Sequence, residues 1–249
     1  MQRTTTKKVN GCCFCNGPGL TKEHIWPDWA ADLLPDSGSY FRAKIRGGGG
    51  LSPGGSVEGH WSRQGAVKTI RLRVVCKPCN SGWMGDMEQA VKPILKPMLN
   101  DKQISLSRDN QQTLAQYFAM KAMVADLSRP PYAFTENERN LFYLERAIPD
   151  RCRIHLSRYP DPPNPIVALY NKESVGGIGL NQTFRFNYIY VQVLMPVVKI
   201  LKKLPKSHWI TINPVDDEVI WPPNQSIFIQ EAKEFQHIFE RIYLGKPHQ

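Results

Sequence analysis

A chain of 249 residues, 41% hydrophobic and 22% charged, has the composition of a folded globular protein with a real core, not of a disordered or fibrous one. The longest apolar stretch, residues 188–201, is broken by Gln192, Pro196 and Lys199, so no membrane span of about 18 apolar residues is expected. The formal net charge is +10, and residues 1–100 hold 14 Lys+Arg against 7 Asp+Glu, seven of those ten charges, which points to phosphate-bearing partners.

Residues 1–10 lack the apolar segment of a signal peptide and read as a mobile tail. A reducing, cytoplasmic setting is therefore expected, where paired C-x-x-C motifs hold metal more often than disulfides. The first pair, Cys12 and Cys15, opens a segment over residues 11–99 that carries every residue of the candidate site. Cys13 lacks the two-residue spacing to Cys15 and is a bystander. Glu23-His24-Ile25-Trp26-Pro27 follows. Two strands, residues 40–46 and 67–75, are expected to flank the glycine-rich stretch 47–55, because glycine runs do not hold a packed conformation. Arg42, Lys44, Arg46, Arg63, Lys68, Arg71 and Arg73 on and between these strands form a candidate phosphate groove. Trp61 is available to stack on a base, and His60 is a second candidate imidazole. A solvated strand face explains the same residues equally well.

The second pair, Cys76 and Cys79, is followed at once by Asn80 and then by a helix whose Trp83, Met87 and Val91 share one face. Pro93 is expected to end or kink it. A helix over residues 109–127 is capped by Ser107 or Asp109, with Leu114, Phe118, Met120 or Lys121, and Ala125 near its buried stripe. Thr135 with Glu138 is a capping box for a helix to about residue 146. Strands are expected at 151–159, 166–171, 183–195 and 208–213, and a last helix at 230–244. Cys152 reads as a small buried hydrophobe. The fold class is α+β: a zinc-stapled module at 11–99, then at 100–249 a mixed domain with an antiparallel sheet.

Two separated C-x-x-C pairs have the spacing of a tetrahedral sulfur site for Zn²⁺. Four sulfurs leave no open position for water, so this zinc is structural. Chemistry must come from elsewhere, and Glu23-His24 is the candidate. Neighbours in a strand point to opposite faces; a bent strand end is expected to bring both to one phosphate. His24 then takes a proton from water. Glu23 offers hard oxygen to a divalent cation. Asn80 either caps the helix after it or ties the two limbs of a hairpin through its amide.

These residues resemble the HNH (ββα-metal) endonuclease superfamily in its four-cysteine zinc form: C-x-x-C, an acidic-His-Ile-x-Pro element, and C-x-x-C-Asn before a helix. The run Cys79-Asn80-Ser81-Gly82-Trp83-Met84, with Asp86 and Glu88, is similar to a bacterial and phage subgroup of HNH proteins. The match covers about the first 90 residues. The resemblance implies a ββα-metal module and hydrolysis of phosphodiesters, most simply in DNA. His24 would be the general base, Asn80 the scaffold, and Glu23 a ligand for Mg²⁺ or Mn²⁺. The family's third element falls at Gln89, so Glu88 is taken as the second ligand, with Asp86 in reserve. His24 and Asn80 stand 56 positions apart, which requires a looped-out insertion. Two other readings remain: a zinc-stapled nucleic-acid-binding module without turnover, and a nuclease effector controlled by a partner docked on residues 100–249.

Overall fold

The computed structural model describes residues 11–33, 71–102, 104–128, 132–158, 168–175, 179–186, 189–196, 218–221 and 227–228. The tail 1–10, the flanking strand 40–46, the glycine stretch, the strand 208–213 and the helix 230–244 lie outside them.

The first strand, β1 (Leu20–His24), pairs antiparallel with β2 (Arg71–Cys76), with an irregularity between Thr21 and Lys22. The partner of the second strand is thus the segment carrying Glu23 and His24. A short helix α1 (Lys77–Ser81) follows directly, with Cys76 at its N-cap and a proline in its first turn, where a missing N–H costs nothing. Gly82 then breaks the axis: its N–H donates to the Pro78 carbonyl at 3.1 Å, and a Cβ there would stand 2.6 Å from that oxygen. Only glycine allows so close an approach.

Helix α2 (Trp83–Leu99) continues through Pro93 and Pro97, so neither proline ends it. Each proline removes one helical bond, to the carbonyls of Gln89 and Pro93. Both residues are exposed. Val91, Leu95, Met98 and Leu99 hold the opposite face in the core.

After the two-residue strand β3 (Ser105–Leu106), helix α3 (Arg108–Asp126) is capped by Ser107, whose Oγ accepts from the Asn110 N–H at 3.2 Å. From Leu114 to Asp126 this helix is buried nearly all round, not along one stripe. The reason is its position: it packs on α2 on one side and on the large sheet on the other. Helix α4 (Glu136–Glu145) has the capping box expected from Thr135 and Glu138 and ends at Arg146 in the left-handed region.

Strands β4 (Arg153–Arg158), β5 (Ala168–Val175), β6 (Gly179–Phe186), β7 (Ile189–Pro196) and β8 (Glu218–Trp221) form an antiparallel sheet in the order β5-β6-β7-β4-β8. The single strand expected over 183–195 is two strands, since Phe186 pairs with Ile189 and only two residues separate them. A last strand, β9 (Ile227–Phe228), pairs with β3. Mixed helix and antiparallel sheet is an α+β arrangement. Buried residues on both sides of residue 100 belong to one core, from Phe14 and Trp26 through Phe118 to Phe184 and Val193. Trp26 meets Phe184 edge-on, centroids 5.8 Å apart. No helix among the described residues is long and apolar enough to cross a membrane.

Candidate metal centre and hairpin face

Each cysteine pair sits where the backbone turns sharply. In the first, the Asn16 N–H donates to Cys12 O and the Cys12 N–H to Gly17 O, both at 2.8 Å, with Asn16 in the left-handed region. The Cys13 N–H donates to Val74 O at 2.9 Å, fastening this knuckle to β2. In the second, Cys76 ends β2 and Cys79 is buried one turn into α1. Folding thereby brings the sulfurs of Cys12, Cys15, Cys76 and Cys79 within 4.8 Å of one another. Cys15 Sγ lies 3.5 Å from both Cys76 Sγ and Cys79 Sγ, close to the edge of a tetrahedron with metal–sulfur bonds of about 2.3 Å. The Gly17 N–H donates to Cys15 Sγ at 3.4 Å. A Cβ on Gly17 would stand 3.2 Å from that sulfur and 3.9 Å from Cys76 Sγ. Four thiols so placed are compatible with a structural Zn²⁺.

The thiols do not share one acidity. A hydrogen bond from Cys13, ahead of opposing burial, brings Cys12 down to about 4, while burial pushes Cys76 and Cys79 up. Cys13 is raised mainly by burial, and the isolated Cys152, completely buried, is raised by it to about 12.

Asn80 is half-buried and faces β1: its amide donates to Thr21 Oγ1 at 3.0 Å and to Lys22 O at 3.3 Å. Thr21 Oγ1 in turn donates to Val75 O at 3.1 Å. The side chain therefore ties α1 to β1. Asn80 lies within α1, and the helix after it, Trp83–Leu99, has Gly82 at its N-cap and no side-chain cap, so capping is not its role here.

Glu23 and His24 separate, contrary to the expectation that a bent strand end would aim both at one phosphate. Register pairs Glu23 with Leu72, His24 with Arg71 and Lys22 with Arg73. Strand alternation sends the first pair inward and the other two outward. Glu23 is 5% exposed and its Oε1 accepts from Lys121 Nζ at 2.5 Å. Lys121, on α3, also donates to the His24 carbonyl at 3.0 Å, lies 3.7 Å from Glu88 Oε2, and sits over the Tyr117 ring at 5.5 Å. Burial raises the Glu88 carboxyl, against the attraction of Lys121. Asp86 and Gln89 are exposed on the other side of α2 from its buried residues.

The expected Mg²⁺ or Mn²⁺ on Glu23 and Glu88 does not fit this arrangement, because an ammonium stands between the two carboxylates. Among the described residues, the four cysteines alone form a group of three or more His, Cys, Asp or Glu with converging ligand atoms.

His24 stands at the outer end of the hairpin. Its Nε2 is buried and 3.0 Å from Asp28 Oδ1 but makes no hydrogen bond. Arg71 Nη2 is 4.0 Å from the same oxygen. Burial lowers the His24 pKa, Asp28 opposes this, and Arg71 reinforces it. Lys22, Arg71 and Arg73 are exposed beside it. Arg42, Lys44, Arg46, Arg63 and Lys68, with His60 and Trp61, lie outside the described residues.

Sequence reasoning missed Asp28 and Lys121. Asp28 follows His24 by four positions, but in a strand-to-turn segment that spacing carries no signal. Lys121 stands amid the apolar residues of α3, and that is the one sign of a buried cation. No family model, curated protein or solved structure matches this chain.

Proposed function

We propose that this protein binds the phosphodiester backbone of nucleic acid on the outer face of the β1–β2 hairpin and hydrolyses it, with His24 as general base. One observation carries the reading. Alternation along two paired strands puts an imidazole and three exposed cations, Lys22, Arg71 and Arg73, on one face, and Asp28, four residues beyond His24, sets a carboxylate beside the ring. Zinc, held by Cys12, Cys15, Cys76 and Cys79, fastens the hairpin to α1. It takes no part in the chemistry, since four sulfurs fill its coordination.

Burial keeps His24 neutral near pH 7, the state a base requires. It takes one proton from a water molecule, whose oxygen bonds to phosphorus. The 3′-oxygen leaves on the opposite side and is protonated by solvent. Asp28 stabilises the imidazolium that forms, and Arg71 and Arg73 offset charge gathering on the phosphate. The substrate class most consistent with the resemblance is DNA, and the bacterial or phage setting belongs to the same proposal.

Binding without cleavage is the second reading. The burial of Glu23 against Lys121 favours it, since that carboxylate faces away from the hairpin surface. Plasmid nicking separates the two. Wild type should nick and His24→Ala should lose about 10²–10⁴ in rate, the usual scale of a general base. Equal rates would remove His24 from the chemistry. Retention of plasmid by a protein that never nicks it would establish the binding module.

A further inference from the structure

Glu23, Glu88 and the main-chain carbonyl of His24 come from two elements, β1 and α2, and converge on one point. That point is filled from a third element by Lys121 Nζ, at 2.5 Å from Glu23 Oε1, 3.0 Å from His24 O and 3.7 Å from Glu88 Oε2. Three hard oxygens, two of them anionic, are what a divalent cation such as Mn²⁺ or Mg²⁺ selects. The ammonium is 1% exposed, so it is no surface lysine that happens to lie nearby. A lysine is buried only when paired, and here the pairing uses every oxygen of the cage.

We propose that Lys121 is a built-in cation: it occupies a divalent-metal cage made by Glu23, Glu88 and the His24 carbonyl, and so makes the hairpin independent of metal at that position. The charges agree. One ammonium against two carboxylates leaves the cage at −1, held in low dielectric, where Coulomb attraction is strong. Removing the ammonium leaves −2 with three oxygen donors around the vacated point. Lys121 is a positioning residue, since it touches β1 behind His24 and does not reach the hairpin surface. The inference bears on the site of the proposed hydrolysis but is tested by metal binding, so the two fail separately.

The test is Mn²⁺ binding to zinc-loaded protein, followed by calorimetry and by the electron-spin signal of free Mn²⁺, alongside melting temperature. Wild type should bind no Mn²⁺ at this cage and melt unchanged in its presence. Lys121→Met should take up one further Mn²⁺ per chain at least about tenfold more tightly than wild type, the order of effect expected from deleting a competing charge beside two carboxylates. It should also melt higher with Mn²⁺ than without. Adding Glu23→Gln to that variant should abolish both gains. Lys121→Gln, whose amide keeps one donor for Glu23, gives the same reading if the methionine variant does not fold. Mn²⁺ bound by wild type and lost in Glu23→Gln would overturn the proposal. So would Lys121 variants that gain neither bound Mn²⁺ nor melting temperature.

Discussion

Burial and Asp28 pull His24 in opposite directions: the first favours the neutral ring, the second the imidazolium. Burial wins, so the folded pKa lies below the ordinary 6.5. The sign for stability follows. The unfolded chain takes up the proton first as pH falls, so His24 contributes stability fully above about pH 6.5 that is lost as pH drops toward its folded value. For the hydrolysis proposed above, the same shift keeps the base form present on the acid side of neutrality. Asp28→Asn removes the one nearby group holding the pKa up that is exposed and dispensable to the core. The His24 titration, followed by NMR, should then move to lower pH, and the acid limb of the nicking profile should move with it. Movement to higher pH would mean Asp28 is not what faces the imidazole. Neither Asp28 nor this balance was legible beforehand. The Glu-His dipeptide named the candidate base, but a sequence does not say how deeply an imidazole is set or which carboxylate lies 3.0 Å from it.

Among the elements, α3 organises the rest, and its ends are fixed by polar contacts that no periodicity reveals. Asp126, fully buried at its C-terminus, accepts from the main-chain N–H of Ala133 at 3.0 Å and of Phe134 at 3.1 Å, and from Arg139 Nη2 at 2.8 Å. This one carboxylate sets the turn into α4 and neutralises a guanidinium that is itself 4% exposed. Asp126→Ala leaves that charge buried and unpaired and should cost about 3–5 kcal/mol, the scale for breaking a buried pair, measured as a shift in denaturant midpoint. A loss under about 1 kcal/mol would show that water replaces the carboxylate. Local signals were legible where they are local. The Ser107 cap and the Thr135–Glu138 box were readable because each is decided within four residues. The passage of α2 through two prolines was not, because burial of Val91, Leu95, Met98 and Leu99 overrides the local penalty. Nor was the split of residues 183–195 into β6 and β7, since no glycine or proline stands between Phe186 and Ile189 to announce it. The strand partner of β2 lies across 46 intervening positions, from His24 to Arg71, and pairing at such separation is set by tertiary packing.

The whole molecule is basic, but its charge matters for binding only where it faces outward together. Lys22, Arg71 and Arg73 do so on the hairpin. Affinity for duplex DNA should therefore fall steeply with salt, and Arg71→Gln with Arg73→Gln should lower the log–log slope by roughly 1–2, about one per lost phosphate contact. An unchanged slope would place the phosphate path elsewhere. This surface hangs on the rest of the protein through the cysteine cluster. The two knuckles join segments about 60 residues apart in sequence, Cys15 being 61 positions from Cys76. Phe14, inside the first knuckle, packs edge-on against Trp83 at 5.0 Å and near Phe142 of α4 at 6.4 Å. Closing so long a loop costs chain entropy, and the hairpin's two short strands do not stand alone. Metal binding should thus be coupled to folding of the hairpin and its aromatic packing. One zinc per chain is expected by elemental analysis. Chelation, or Cys76→Ser, should lower the melting temperature and loosen the environment of Trp83, visible in its fluorescence. A four-cysteine zinc is held by thiolates, so acidification should release it by proton competition. Burial, which resists ionisation of Cys76 and Cys79, moves that release to higher pH, and the lowered Cys12 opposes it. A metal-free chain that melts at the same temperature as the zinc-loaded one would show that packing around Phe14 closes the loop unaided.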